Sequence, residues 1–343
     1  MSILRPTLLL LPLLGLLLAA CDFKVDRQTT TEPAPGGSTT LEQFSDSFTL
    51  GNITVYNSFR EQMLVNRAMP FDTQRIVDNV YRRHQSLWEE CYAMAFGPGN
   101  AYMFTTDTGM VNWNEGLYRD QRSILDSITT LILSQQVDTM FDYHVTRFKT
   151  LDYVIPAARI SLAFTPLTRI GFGGCSNDQF VYELNNPSYD VAYTLKAGIP
   201  HELFHIINAG AIGEAKQFQA IDLAINEGLA CYFVWDYFQG SMPKHEAVEE
   251  MSAADWAYYL DHEEEIYQRM KPYFDDSTGD NPLLNNERYR TFPDAPRSLY
   301  YWLGFRIVES YLTTNPGTTI KDLSAVPYAQ LLTGSNYEGR ILR

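Results

Sequence analysis

The hydrophobic pattern of this chain changes period twice. From Ser58 to Phe96, apolar residues such as Ile76, Val80, Leu87 and Ala95 return at roughly one helical turn, which predicts helix. Gly97-Pro98-Gly99 ends that stretch. A second helical pattern runs from about Asp120 to Phe148 on Ile124, Ile128, Leu131 and Met140. Then the character shifts. Asp152–Pro156, Ile160–Phe164 and Phe180–Leu184 are short, rich in β-branched and aromatic residues, and bounded by Pro, Gly and Asn. They read as strands, with Gly171–Cys175 as a loop between two of them. Past Asp190 the pattern is helical almost to the end. Helices, a small mixed sheet, then helices predict a mostly helical α+β fold.

One stretch of the last helical part carries chemistry. Residues 199–208 read IPHELFHIIN. Ile199, Leu203, Ile206 and Ile207 form a core stripe, so His201 and His205 fall on the other side, one turn apart on one face. Both rings can then reach one ion, and Glu202 flanks the same cleft. Pro200 lacks a backbone donor, so the helix is expected to begin near 195–200. The plainer alternative is a pair of surface or hydrogen-bonded histidines. A third ligand should follow. The segment Ile221–Trp235 is apolar on nearly every side, yet Glu227 stands in its middle, 22 positions beyond His205. A buried carboxylate without a partner protonates or finds a cation; a hydrogen-bonded core carboxylate is the alternative. Gly228 weakens a helix interior by about 1 kcal/mol relative to alanine, so something close by needs the space.

The His-Glu-Leu-Phe-His motif followed by Asn-Glu-Gly-Leu-Ala resembles the gluzincin branch of zinc metallopeptidases. It is closest to a family of bacterial predicted zinc-dependent proteases, some of them lipoproteins. The segment Pro296–Tyr311 resembles a helix entry of that family, and the likeness covers roughly residues 150–340. The resemblance implies a zincin-like fold with the zinc site between two helices. It implies zinc held by His201, His205 and Glu227, and Glu202 as general base for an attacking water whose pKa the metal lowers. It offers Tyr301 as the oxyanion donor, with Tyr300 and Arg297 as rivals and simple packing as the alternative. Many gluzincins carry an aspartate four residues after the glutamate ligand to hold a zinc histidine. Cys231 stands there in this chain, so that support must come from elsewhere, with Asp222 and Asn226 as candidates.

The N-terminus bears on location. One basic residue, Arg5, precedes an apolar run of 13 residues, Leu8–Ala20, too short to span a bilayer and suited to a signal-peptide core. It ends in Leu18-Ala19-Ala20-Cys21, which resembles a bacterial lipobox and implies cleavage and lipidation at Cys21; an ordinary secretory signal is the alternative. The Thr/Pro/Gly/Ser-rich residues that follow have little to bury and read as a tether. The expected organisation is a signal peptide over 1–20, the lipidated cysteine and tether over 21–45, an N-terminal helical region over 46–150 and a peptidase domain over 151–343. The expected place is the bacterial envelope, anchored on the periplasmic side, with the choice of inner or outer membrane open.

Charge and cysteines add limits. The formal net charge is −15, from 26 Lys and Arg against 41 Asp and Glu. Such a surface repels phosphate backbones, so nucleic acid is not expected as a partner. Of the four cysteines, Cys91 and Cys175 are the candidate disulfide and Cys231 reads as a buried side chain. His84 and His144 read as exposed helix residues. His245 and His262 read as part of an acidic solvated helix with Glu249 and Glu250, and Asp275–Asp280 as a surface loop. The sequence thus predicts a membrane-anchored zinc peptidase acting on peptide or protein substrates of the envelope. The competing reading is a catalytically weak or inactive lipoprotein of the same fold, working in envelope assembly or protein binding.

Overall fold

The computed structural model describes residues 40–342 apart from 69, 94–96, 167–171, 177, 186–189 and 213–218. Five short strands form one sheet in the order β1-β2-β3-β5-β4: β1 Ser47–Leu50, β2 Ile53–Tyr56, β3 Ala158–Ala163, β4 Phe172–Ser176 and β5 Gln179–Glu183. The sheet is mixed. β2, β3 and β5 run parallel, while β1 and β4 pair antiparallel at the two edges. Helices make up most of the remaining described residues, so the α+β reading holds.

Several local expectations change. The region 46–150, expected to be helical, opens on β1 and β2. Thr54 and Val55 lie opposite Arg159 and Ile160, so the sheet joins residues on both sides of the expected boundary at 150. Two four-residue strands carry too little periodicity to stand out in sequence, and a distant partner fixes them. The expected loop over 171–175 does not hold where it is described: from Phe172 to Ser176 the chain is the edge strand β4. Asp152–Pro156 forms no strand. β5 lies between β3 and β4 with every residue buried, so it has no free edge to offer a peptide. The second helical stretch divides into Asp107–Ser134 and Val137–Thr150, broken where Gln136 takes a left-handed backbone.

Three helices build the site. The motif helix spans Ile199–Ile212, the glutamate helix Ala220–Tyr237 and the tyrosine helix Leu299–Thr314. The motif helix begins at Ile199, within the expected 195–200, but helical turns precede it. Helical backbone begins at Val191, where the Asp190 side chain accepts from Ala192 N, and passes through a wide π-helical turn over Thr194–Gly198. That wider turn directly before the proline is the kind of defect that accommodates a missing donor and a bulky ring inside a helix. Tyr182 Oη then donates to the Gly198 carbonyl at 2.8 Å, tying β5 to the start of the motif helix.

The glutamate and tyrosine helices approach to backbone contact. A Cβ on Gly228 would stand 2.0 Å from the carbonyl carbon of Gly304, and one on Gly304 would stand 1.7 Å from the Ala224 oxygen. Ile225, Leu229, Leu303, Phe305 and Ile307 are fully buried along these helices. The space that Gly228 leaves is therefore taken by the backbone of the tyrosine helix.

Candidate metal centre

His201 and His205 reach Glu227 across the gap between the motif and glutamate helices. His201 Nε2 and His205 Nε2 each lie 3.2 Å from Glu227 Oε2, and 3.1 Å from each other. Three lone-pair donors thus form a nearly equilateral triangle. Donors at about 2.0–2.1 Å around a tetrahedral zinc are spaced about 3.3–3.4 Å apart, so the observed triangle matches that donor set. It comprises two imidazole nitrogens and one carboxylate oxygen, hard-to-borderline ligands suited to zinc. The side chains keep 9%, 19% and 22% of their surface exposed for His201, His205 and Glu227, so solvent can reach a fourth position.

The charge balance points the same way. Burial disfavours the protonated His201 ring, but its contacts with Cys231 and Glu227 outweigh this and raise its proton affinity well above the ordinary value. Burial likewise disfavours the Glu227 carboxylate, yet the two imidazoles hold it far below the usual carboxylate range. A site that binds a proton this strongly attracts positive charge, which a divalent cation supplies.

The outer contacts differ for the two rings. Around His205, the Asn226 amide lies 3.3 Å from Nδ1 and receives a 2.7 Å hydrogen bond from Tyr328 Oη. Nitrogen and oxygen of an amide occupy the same shape. An Nε2-ligating His205 keeps its proton on Nδ1, and the amide satisfies it by turning its oxygen to the ring, whereupon Tyr328 Oη accepts from the amide nitrogen instead. Of the two candidates, Asn226 therefore touches a candidate ligand. Asp222 instead accepts from Gln219 N at 3.1 Å, at the start of the glutamate helix. Behind His201, Cys231 is fully buried with its sulfur 3.9 Å from Nδ1.

Beside these residues opens a cleft with about 700 Å³ of empty space, counting its mouth. His201, Glu202 and Tyr301 all line it, with Tyr182, Tyr193 and Glu249. Burial raises the Glu202 carboxyl above its ordinary pKa, partly countered by the nearby His201 and His205. Tyr301 stacks at a tilt on His201, ring centroids 6.4 Å apart, and on Tyr300 at 4.3 Å. Burial and the nearby Glu227 keep Tyr300 well above the ordinary phenol range, a shift its hydrogen bond with Tyr301 opposes. Arg297, the other rival, is exposed, and its carbonyl accepts from Tyr259 Oη at 3.1 Å.

Other residues depart from expectation. His84 and His144 are buried, not exposed: His84 packs edge-on against Tyr56 and His144 Nδ1 meets Tyr237 Oη at 2.9 Å. Glu249 is not on a solvated helix. It sits half-buried in a turn, and its carboxylate lies within 4.8 Å of ligand atoms of both His201 and Cys231. The signal for it was indirect: a cysteine where an aspartate was expected left His201 wanting a partner. In the Asp275–Asp280 loop, Asp276 accepts from Thr278 and Asp280 pairs with Arg288, which fits a surface turn. Cys21 and the expected tether up to residue 39 lie outside the described residues, as do the side chains of Cys91 and Cys175, whereas Leu41, at the tether's end, is buried in the core. Among the described residues no helix is long and apolar enough to cross a membrane.

Residues 163–333 match a family described as "Predicted Zn-dependent protease (DUF2268)". The matched segment contains the motif helix, the glutamate helix and the tyrosine helix. No curated protein and no solved structure matches the chain. The family description supports a zinc-dependent protease at the level of class, and with it zinc as the metal.

Proposed function

We propose that the protein is a gluzincin-type zinc peptidase of zincin-like fold. The observation that carries this reading is the 3.1–3.2 Å triangle of His201, His205 and Glu227 donors beside a solvent-reached cleft lined by Glu202. A zinc ion bound there would acidify a water molecule and polarise the scissile carbonyl. The chain supplies the rest. Glu202 takes a proton from the attacking water and later delivers it to the leaving nitrogen. Its raised pKa suits both halves of that transfer. Tyr301 donates a hydrogen bond to the oxygen that gains charge in the tetrahedral state. His205 is oriented by Asn226, and Asn226 by Tyr328.

The experiment is hydrolysis of an unstructured protein substrate by the wild type and Glu202→Gln. Loss of about 10²–10⁴-fold in rate with zinc retained supports the assignment. A variant as active as the wild type refutes it. The lipobox-like end at Cys21 supports an anchored envelope location. Cys21→Ser should shift the protein out of the membrane fraction, and its retention there would refute the anchor.

A further inference from the structure

We propose that Glu249, together with Cys231, is the positioning partner of His201, doing from a separate turn what an aspartate on the glutamate helix would otherwise do. The inference rests on the zinc reading above.

The need comes from the His201 ring. Its Nε2 faces His205 and Glu227, so a ligating His201 carries its proton on Nδ1. That proton points into a buried place, where an acceptor is required. Cys231 Sγ is the near atom, at 3.9 Å. A thiol is a weak acceptor, and at that distance it holds the ring proton poorly; a carboxylate is the acceptor that makes an imidazole a better ligand.

Glu249 supplies that carboxylate. Its carboxylate oxygen lies within 4.8 Å of a His201 ring nitrogen and of the Cys231 sulfur. The chain takes an unusual path to put it there. Glu249 and Glu250 both adopt left-handed backbone, φ 53° each, and such conformations disfavour side-chain-bearing residues by about 1–2 kcal/mol apiece. The turn is pinned on several sides. Glu250 Oε2 accepts from Asp190 N at 3.2 Å, the Glu246 carbonyl accepts from Tyr193 Oη at 2.5 Å, and His245 Nδ1 meets the Met251 carbonyl at 2.8 Å. The first two of these contacts join the turn to the helical path leading into the motif, at Asp190 and Tyr193. Glu249 thus bears on His201 from a loop fixed to the start of His201's own helix.

The test is zinc affinity of the purified chain by chelator competition, with stoichiometry by elemental analysis, for the wild type, Glu249→Gln, Glu249→Asp and Cys231→Ala. The expected result is one zinc per chain, an affinity about 10–100-fold weaker in Glu249→Gln, and partial recovery in Glu249→Asp. The melting temperature of the metal-free protein should change little in Glu249→Gln, which separates positioning from folding. Glu249→Gln affinity within about twofold of the wild type overturns the proposal. So does a second zinc that disappears in Glu249→Gln or Cys231→Ala, which would make His201, Cys231 and Glu249 a metal site of their own. A sulfur-to-metal charge-transfer band in the cobalt-loaded wild type would place Cys231 on the ion and also overturn it. A wild type that holds no zinc overturns the peptidase reading as well, whereas an unaffected Glu249→Gln in a zinc-holding protein overturns this inference alone.

Discussion

Gly228 and Gly304 meet backbone to backbone, and through that contact the helix carrying Glu227 holds the helix carrying Tyr301 beside His201. The residue next to a ligand and the residue three positions past the candidate oxyanion donor are both glycine because neither position has room for a methyl group.

Gly228→Ala is therefore expected to destabilise the fold. Helix propensity alone would make alanine better by about 1 kcal/mol. The contact at 2.0 Å forces the helices apart instead, an overpacking cost of about 1–3 kcal/mol or more. Urea unfolding decides the sign. A Gly228→Ala protein more stable than the wild type would contradict the packing described.

Tyr301→Phe should keep its zinc and lower kcat by about 10²–10³-fold, the usual effect of removing one oxyanion donor. Tyr300→Phe, whose ring lies behind Tyr301, should fall less. Steady-state kinetics on a short peptide measures both. Equal losses would make the pair a packing unit.

Asn226→Ala removes the group beside His205 Nδ1 and should weaken zinc binding by about 10–100-fold. Tyr328→Phe leaves the amide in place but frees it to rotate, so a smaller loss is expected. Chelator competition reads both, and unchanged affinity in Asn226→Ala would remove the amide from the account.

Glu183, which also lines the cleft, offers a pH test of stability. It is buried at the end of β5, accepts from Thr165 Oγ1 at 2.8 Å, and burial lifts its pKa from 4.5 to about 8, against that hydrogen bond. A folded-state pKa raised above the unfolded value means the native state binds the extra proton. The stabilisation is complete below about pH 4.5 and is lost as pH rises through about 8. At about 1.4 kcal/mol per unit the loss reaches several kcal/mol at its upper limit. Glu183→Gln keeps an acceptor for Thr165 and cannot ionise. Unfolding free energies measured from pH 5 to 9 should fall more for the wild type than for Glu183→Gln, and parallel curves would contradict the assignment.

What could be read from the chain alone followed from how local each cause is. The two histidines share one helix face and Glu202 flanks it, so spacing alone predicts their arrangement around one cleft. Glu227 showed itself as a charge inside an apolar helix, and Gly228 as a helix-weakening residue that needed a reason. Other features depend on partners far away in sequence. β1 and β2 are four residues each and exist because β3 pairs with β2. β4 contains Gly173 and Gly174, which read as a turn, yet pairing with β5 makes it a strand. Glu249 sits in a run of acidic residues that looks solvated, and only the fold brings it near His201. His84 and His144 looked exposed because isolated histidines on polar helices usually are. Here neighbouring aromatic residues cover them.

The central claim is that His201, His205 and Glu227 together hold one zinc ion. The most direct measurement is the zinc content, by elemental analysis, of the protein purified without chelators, for the wild type and Glu227→Ala. Close to one zinc per wild-type chain, and a large loss in Glu227→Ala, is the expected result. A wild type with almost no zinc, or a Glu227→Ala protein that holds it as tightly, would contradict the account.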